Sequence, residues 1–325
     1  MVPEFASGIT PGITPGIAPR IAGASYNDCN MRNALFQTIA RIFPTRHIGT
    51  NRLLSAIWRT LFYLIRPNEP FIMQTAHYPV EAHPGRETLT RALIRRGYWE
   101  PLETRVFVEL LSPGVMVVDA GANFGHYALT ASSLVGRNGL VFAFEPHGPT
   151  HSLLSRNAGL QQHRNLRPVR AGLGAEDAEL PIYADAGNPG GHSFLDWNRR
   201  EDTGTAETVP IFALDGFLAR EAPGRTLSML KIDVQGFEMD VLNGAAETIT
   251  RDRPNVLCEV TPGVLARTAG GHRILLTFFE GRDYRATILW PDEDRLEPVE
   301  FDRLARMLDE TDREYFDVLF QAAPE

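Results

Sequence analysis

Four acidic residues in this 325-residue chain stand where short apolar runs end. Asp119 closes Val115-Met116-Val117-Val118, Glu145 closes Leu140-Val141-Phe142-Ala143-Phe144, Asp233 closes Met229-Leu230-Lys231-Ile232, and Glu259 follows Val256-Leu257-Cys258. A carboxylate buried without a partner is costly, so acids at four strand ends are expected to converge on one crevice. Grouped there, carboxylates can hold a cation, bind paired hydroxyls, take a proton from a reacting group, or coordinate a metal.

The first acid runs into glycines, Asp119-Ala120-Gly121-Ala122-Asn123-Phe124-Gly125, and then into Tyr127–Leu134, which has helical spacing. Strand, glycine loop and helix in that order open a nucleotide-binding βαβ unit. Gly121 and Gly125 suit a sharp turn and a ligand lying against bare backbone. The loop is expected to aim the free amides of the helix N-terminus at an anion or a carboxylate. Its G-x-x-x-G spacing is not the G-x-G-x-x-G of dinucleotide sites. An acid at the strand end also sits poorly beside a pyrophosphate. Asp119 suits instead the cationic amino-acid end of S-adenosylmethionine, and Glu145, at the tip of the second strand, suits the two ribose hydroxyls.

Transfer of a methyl group from such a sulfonium would need acceptor, methyl carbon and sulfur in line, and an acceptor that carries a proton must also lose it. Candidates for that base are Asp233, Glu238, Glu259 and His192, the last within Gly190-Gly191-His192-Ser193. Glu238 also has a structural reading, as an acid favoured in the first turn of a helix. Lys231 reads as a partner for a neighbouring carboxylate. Asp233 with Glu259 could hold a divalent metal, but no further clear ligand accompanies them, so no metal is assigned.

The elements that must position these groups alternate. Helices are expected over Gly85–Arg96, Leu102–Leu111, Thr150–Leu160, Asp215–Arg220, Gly236–Thr250 and Arg273–Glu280. Further strands are expected over Leu166–Leu173, Leu180–Tyr183, Val209–Leu214 and Asn255–Val260. Arg285–Trp290 and Tyr315–Phe320 read as a closing pair at the sheet edge. Such alternation implies α/β architecture, a mostly parallel sheet with helices on both faces and ligands outside the carboxyl ends of the strands. The polar, glycine-rich segment Asp185–Gly204 is too long for a simple connection and reads as a substrate loop or lid.

Ahead of this domain, residues 1–30 contain a Gly-Ile-Thr-Pro near-repeat that opposes regular structure, a flexible tail. Residues 31–96 form a basic, helical extension, in which Arg52–Ile65 is amphipathic and could lie on an anionic membrane surface. The third segment, 97–325, is the catalytic domain. A hydrophobic content of 43% supports a substantial core, and a formal charge of −8 argues against a protein that coats nucleic acid. The two cysteines, Cys29 and Cys258, offer neither a disulfide framework nor a paired metal motif, which fits a reducing, cytoplasmic setting. No apolar run is long enough to span a bilayer, and the N-terminus lacks a secretory pattern.

Gly97-Tyr98-Trp99-Glu100-Pro101, Asp119 through Gly125, Phe144-Glu145-Pro146, and Lys231-Ile232-Asp233-Val234-Gln235-Gly236-Phe237-Glu238 together resemble the FkbM family of S-adenosylmethionine-dependent methyltransferases. The likeness runs from about Tyr98 to Phe320. It implies a class I methyltransferase (Rossmann-like) fold and methylation of a hydroxyl on a sugar, glycan or natural product. On that resemblance Asp119, Gly121, Asn123 and Gly125 line the methionyl end, Glu145 takes the ribose, and Gly172-Leu173-Gly174 lies near the adenine. Ala175 stands where the family often has an acid, and Gln235 replaces a frequent Glu, leaving one carboxylate fewer near the acceptor. Asp233-Val234-Gln235-Gly236 is also not the Asn/Asp-Pro-Pro-aromatic turn of enzymes that methylate nucleic-acid bases. The alternatives are an inactive S-adenosylmethionine-binding scaffold and a nicotinamide-dependent oxidoreductase.

Overall fold

The computed structural model describes residues 70–83, 93, 99–183, 194, 207–268 and 270–323. The chain divides into two compact units, Met1–Trp99 and Glu100–Glu325. In the first, β1 (Phe71–Gln74) and β2 (Pro79–Ala82) form an antiparallel hairpin. Its turn is fixed by the Thr75 hydroxyl, which accepts from the amides of His77 and Tyr78. Of the helix expected over Gly85–Arg96, Leu93 is described, and it is helical and buried. The expected tail of residues 1–30 and the basic helix of residues 52–65 lie outside the described residues. Among the described residues, no helix is long and apolar enough to cross a membrane.

The second unit opens with α1 (Pro101–Glu109), whose proline occupies the first turn, where its missing N–H is no loss. Then β3 (Met116–Ala120), α2 (His126–Val135), β4 (Leu140–Phe144), α3 (Gly148–Gly159) and β5 (Leu166–Val169) alternate. A small side sheet follows, made of β6 (Gly172–Leu173), β7 (Ala178–Ile182) and β8 (Glu207–Phe212) in the order β6-β8-β7. The main sheet resumes after α4 (Leu214–Glu221) with β9 (Leu227–Ile232), then α5 (Glu238–Gly244), α6 (Ala246–Asp252) and β10 (Asn255–Val260). Two helices, α7 (Pro262–Leu265) and α8 (Gly271–Glu280), lead to β11 (Tyr284–Trp290), β12 (Arg295–Val299), α9 (Phe301–Glu310) and β13 (Phe316–Ala322).

The eight-stranded sheet has the order β12-β11-β13-β10-β9-β3-β4-β5. Its β10-β9-β3-β4-β5 portion is parallel, and β13, β11 and β12 add to it antiparallel. From β3 the chain builds outward through β4 and β5, then returns to the other side of β3 with β9. The order therefore reverses between β3 and β9, and a crevice outside their carboxyl ends is the expected ligand position.

Side chains alternate across a strand, so register decides which face each residue joins. Val118, Ala120, Leu230, Ile232, Cys258 and Val318 belong to the main hydrophobic cluster. The intervening residues point the other way. Asp119 pairs with Lys231 across β3 and β9, and Glu259 pairs with Asp317 across β10 and β13. The same two-residue period that fills the core thus sets charged groups together on the opposite face.

Several elements differ from expectation. Leu166–Leu173 is two strands in two sheets. The helix expected over Gly236–Thr250 breaks after Gly244, where a Cβ would lie 2.0 Å from the Gly174 carbonyl oxygen, so the backbones of β6 and α5 meet there. The expected edge pair is antiparallel, but β13 lies between β10 and β11, and β12 holds the edge.

Candidate active site

The glycine loop between β3 and α2 is tied down along its length. The amides of Gly121 and Ala122 both donate to the Phe144 carbonyl, at 3.0 and 2.9 Å, and Gly125 donates to the Ala122 carbonyl. The Asn123 amide donates to Glu145 Oε2 at 2.9 Å, and the Phe124 amide to Asn123 Oδ1 at 2.7 Å. From α3, buried Asn157 donates to the Phe124 carbonyl. The Ala128 amide, in the first turn of α2, donates to Asp119. The loop amides from Gly121 to Gly125 are thus engaged within the protein, and from the helix N-terminus the Ala128 amide is taken by Asp119. What the loop leaves open is acceptor capacity, since buried Asp119 Oδ2 has no hydrogen-bond partner among the described residues. A loop that offers a carboxylate oxygen suits a cationic group.

Glu145 is buried and joins the glycine loop to the turn after β4, accepting from the amides of Asn123 and His147 at 2.9 Å each. Each carboxylate oxygen has a second lone-pair direction, so this clasp and hydroxyl binding are compatible. Asp233 and Glu259, by contrast, are partly exposed. Gln235, held at a left-handed φ of 53°, turns its carboxamide between them. Its Nε2 donates to Asp233 Oδ1 at 3.0 Å and to Glu259 Oε1 at 2.8 Å. Two acceptors on one nitrogen fix the carboxamide orientation, because the carbonyl oxygen could satisfy neither. The oxygens a cation would take are thus met by N–H donors, and among the described residues no group of three or more His, Cys, Asp or Glu side chains is arranged to hold a metal.

Behind this pair lies Lys231, buried to 2% exposure, with its ammonium 5.2 Å from the centroid of the Tyr127 ring. Burial alone would depress its pKa; the charges of Asp233, Asp317, Glu100 and Glu259 outweigh that and raise it. Lys231 thus sits among carboxylates whose charge it opposes. The Tyr127 hydroxyl donates to Glu100 Oε2 at 2.6 Å. Glu100 adopts a left-handed φ of 42° directly before the proline of α1, a conformation costing about 1 kcal/mol or more for a non-glycine residue.

Of the other expected site residues, Gly125 caps α2 at φ 106°, with a Cβ position 2.7 Å from Leu154 Cδ1, so it packs loop against helix. Gly174 donates to the Phe212 carbonyl and is closed in by Ile211 and Phe237. Glu238 is buried in the first turn of α5, and its Oε1 accepts from the Gly236 amide at 2.8 Å. His192 and nearly all of the lid segment Asp185–Gly204 lie outside the described residues; Phe194, which is described, places its ring 5.2 Å from Phe237. Glu100 and Asp317 received no role from the sequence. Glu100 was visible within the Gly97–Pro101 motif, whereas Asp317 gave no signal until β13 was known to lie beside β10.

A family model described as "Methyltransferase FkbM domain" matches residues 119–286, just over half of the chain. The chain belongs to the FkbM methyltransferase family. A protein named Methyltransferase 1 from Beauveria bassiana (strain ARSEF 2860) is 28% identical over 191 residues, covering 54% of this chain and 74% of that one. The solved methyltransferase FkbM of Methylobacillus flagellatus KT is 12% identical with a TM-score of 0.40, covering 72% of this chain and 52% of its own. The fibrillarin of Aeropyrum pernix, solved with natively bound S-adenosyl-L-methionine, is 14% identical with a TM-score of 0.36, covering 64% of this chain and 67% of its own. As an FkbM methyltransferase the protein takes S-adenosylmethionine as methyl donor. The unpartnered, buried oxygen of Asp119 at the sheet's reversal point fits that cationic donor.

The electrostatics of this FkbM site have a consequence for stability. Burial pushes Asp119 up to about 7, with Lys231 opposing and Asp233 adding. Burial likewise pushes Glu145 and Glu238 up to about 7, against the amides that bind each of them. The unfolded chain releases these protons near 3.8 for the aspartate and 4.5 for the glutamates. Between about pH 4.5 and 7 the native state therefore holds protons that the unfolded state has lost, and its stability falls as pH rises. For the ligand-free protein we expect a loss of about 1 to 3 kcal/mol per pH unit from pH 5 to 7, levelling above pH 8. Urea denaturation at each pH measures it, and stability that instead rises from pH 5 to 8 contradicts the assignment.

Proposed function

We propose that this FkbM protein methylates a hydroxyl group on a sugar, a glycan or a related small natural product. The observation that carries this reading is the Asp233–Glu259 pair, partly exposed and joined by Gln235 at the carboxyl ends of β9 and β10. S-adenosylmethionine supplies an electrophilic methyl on a sulfonium. A hydroxyl becomes a competent nucleophile as its proton leaves, so the protein must provide a base within reach. Burial, and then the neighbouring Asp233 charge, raise Glu259 well above the ordinary carboxylate range, which strengthens it as a proton acceptor. Gln235 keeps both carboxylates in place, and Lys231 behind them offsets part of their charge. On this reading Asp119 and Glu145 serve the donor, with Gly121, Asn123, Gly125 and Gly174 shaping its walls, while Asp233 and Glu259 face the acceptor. Glu238 supports the turn that carries them, and His192 stays a candidate to close over the acceptor.

Two experiments test this. Labelled-methyl transfer onto glycan and metabolite extracts should yield ethers, stable to mild base; label that appears in base-labile esters or in N-methyl groups would rule out hydroxyl methylation. Glu259→Gln and Asp233→Asn should then lower turnover with saturating acceptor by about 10²- to 10⁴-fold, the range of general-base assistance. Donor affinity should stay within about threefold, since base removal acts on the transition state. A variant that loses donor affinity and turnover together would place that residue at the donor end instead.

A further inference from the structure

The carboxyl end of β10 carries a hydroxyl that neither the fold nor the chemistry above employs. Side chains of β10 alternate between faces: Cys258 and Val260 join the hydrophobic cluster, and Glu259 points the other way. Thr261 is next in that alternation, so it continues the face of Glu259 just beyond the strand. Thr261 is 8% exposed, and its Oγ1 is buried with no hydrogen-bond partner among the described residues. It is the N-cap of α7, where a threonine hydroxyl ordinarily accepts from an amide of the first turn. Here the amides of Val264 and Leu265 both donate to its backbone carbonyl, and its side chain makes no cap bond. A buried hydroxyl that its own helix leaves unsatisfied is costly unless a ligand supplies the partner.

Strand β13 brings a second group to the same place. Its register sets Asp317 opposite Glu259 and Phe316 opposite Val260, so Tyr315, directly before the strand, falls opposite Thr261. Tyr315 shares the face of Asp317, and burial together with the charges of Asp317, Glu100 and Glu259 raises its hydroxyl above the ordinary phenol range. Its ring is nevertheless 40% exposed, one of two large apolar side chains so exposed among the described residues. Same-face neighbours stand about 7 Å apart along a strand and opposed residues about 5 Å apart across it. Glu259, Thr261 and Tyr315 therefore flank a space of roughly the size of one hexose ring. A sugar presents a C–H face, which an aromatic ring accepts, and a rim of adjoining hydroxyls, which an unsatisfied hydroxyl can bind.

We propose that Thr261 and Tyr315 form the subsite that selects the acceptor: the Tyr315 ring takes the C–H face of a sugar, and Thr261 Oγ1 hydrogen-bonds the hydroxyl adjoining the one presented to Glu259. The proposal rests on the hydroxyl-methylation reading above for the role of Glu259. Both residues act by binding, and neither meets the transferred methyl group.

Saturation-transfer NMR on the full-length protein, with saturating S-adenosylhomocysteine, tests the subsite without turnover. The probes are the methyl glycosides of glucose, mannose and rhamnose, with cyclohexanol as a ring that bears one hydroxyl and no neighbour. At least one glycoside should show ring C–H signals stronger than those of cyclohexanol. Tyr315→Ala should abolish them and Tyr315→Phe should retain them, since the ring is what counts. Thr261→Val should weaken glycoside binding by about tenfold, and Thr261→Ser should restore it. In urea denaturation Thr261→Val should be as stable as the parent or more so, because it deletes an unsatisfied buried polar atom; a hydroxyl with a structural duty would show a loss there. Glycoside signals no stronger than those of cyclohexanol, or unchanged in Tyr315→Ala or in Thr261→Val, would overturn the proposal. Glycoside binding through these residues, with label transferred only to esters or N-methyl groups, would remove the reaction assigned above and leave the subsite standing. Ethers formed only on alcohols other than sugars would keep that reaction and overturn the subsite.

Discussion

Gly121→Ala is expected to destabilise the protein by about 4 kcal/mol or more, among the largest effects a single methyl group can have. Gly121 sits at φ +81°, where an L side chain is strained, and that alone costs roughly 1–2 kcal/mol. The larger part comes from what the methyl would meet. A Cβ there would lie 1.8 Å from the carbonyl oxygen of Asp233 and 2.9 Å from its carbon. Both are backbone atoms, so the loop and the end of β9 must separate. That separation would break the hydrogen bonds that the amides of Gly121 and Ala122 donate to the Phe144 carbonyl and that of Asp233 donates to the Ala120 carbonyl, which hold the reversal point closed. Gly159→Ala is the matching control. At the end of α3 its added methyl meets nothing within 4 Å, and helix propensity predicts a gain of about 0.5 kcal/mol. Chemical denaturation of both variants measures the difference. If Gly121→Ala were as stable as the parent, the close approach of loop and strand would be wrong.

Lys231→Met should lower stability by about 3–5 kcal/mol at pH 8, the usual result of removing one partner from a buried charge cluster. Methionine preserves much of the side-chain length, so the effect isolates charge from packing. Lys231 is flanked by Asp119 on β3 and acted on by Asp233, Asp317, Glu100 and Glu259. Its pKa is raised in the folded state, so its stabilising contribution is complete below its unfolded value of 10.5 and constant through neutral pH. The change with pH must come from the carboxyls. Without the ammonium they would be driven toward protonation, and at pH 5.5 most of them can accept a proton without cost. The deficit should therefore shrink to about 1–2 kcal/mol at pH 5.5. A deficit equal at both pH values would mean that Lys231 supports packing and not charge.

Much of the frame was legible because continuous apolar runs ending in acids are difficult to mistake. Val115–Asp119 and Leu140–Glu145 could be read as strand ends from their own residues, and the helical spacing after Gly125 supplied the crossover. The elements that escaped were those whose identity depends on distant neighbours. Arg295–Val299 contains a proline and charged residues, and such a strand is tolerated only at an edge, where β12 lies. Gly244, where α5 ends, lies against the carbonyl of Gly174, some seventy residues earlier in the sequence. At the site, the convergence of Asp119, Asp233 and Glu259 was readable from strand ends, but the engagement of the loop amides was not. Nothing in Gly121-Ala122-Asn123 announces that Phe144 and Glu145 will claim those donors. Gln235 shows the same limit, since its role as a bridge appears only when β10 brings Glu259 alongside.

The position of β13 bears on how the molecule is made. Synthesis delivers β10 and β11 before β13, yet in the finished sheet β13 lies between them and pairs with both. A nascent chain that has reached only α9 thus has the carboxyl edge of β10 unpaired and a β11–β12 ribbon with no sheet to join. Pairing β10 directly with β11 at that stage would be an error that later has to be undone. The slow step in acquiring the native state should accordingly be insertion of β13, a contact of long sequence separation. Because Asp317 rides on that strand, the charge balance around Lys231 is completed only then, and a ribosome-bound intermediate would hold a half-built charge cluster.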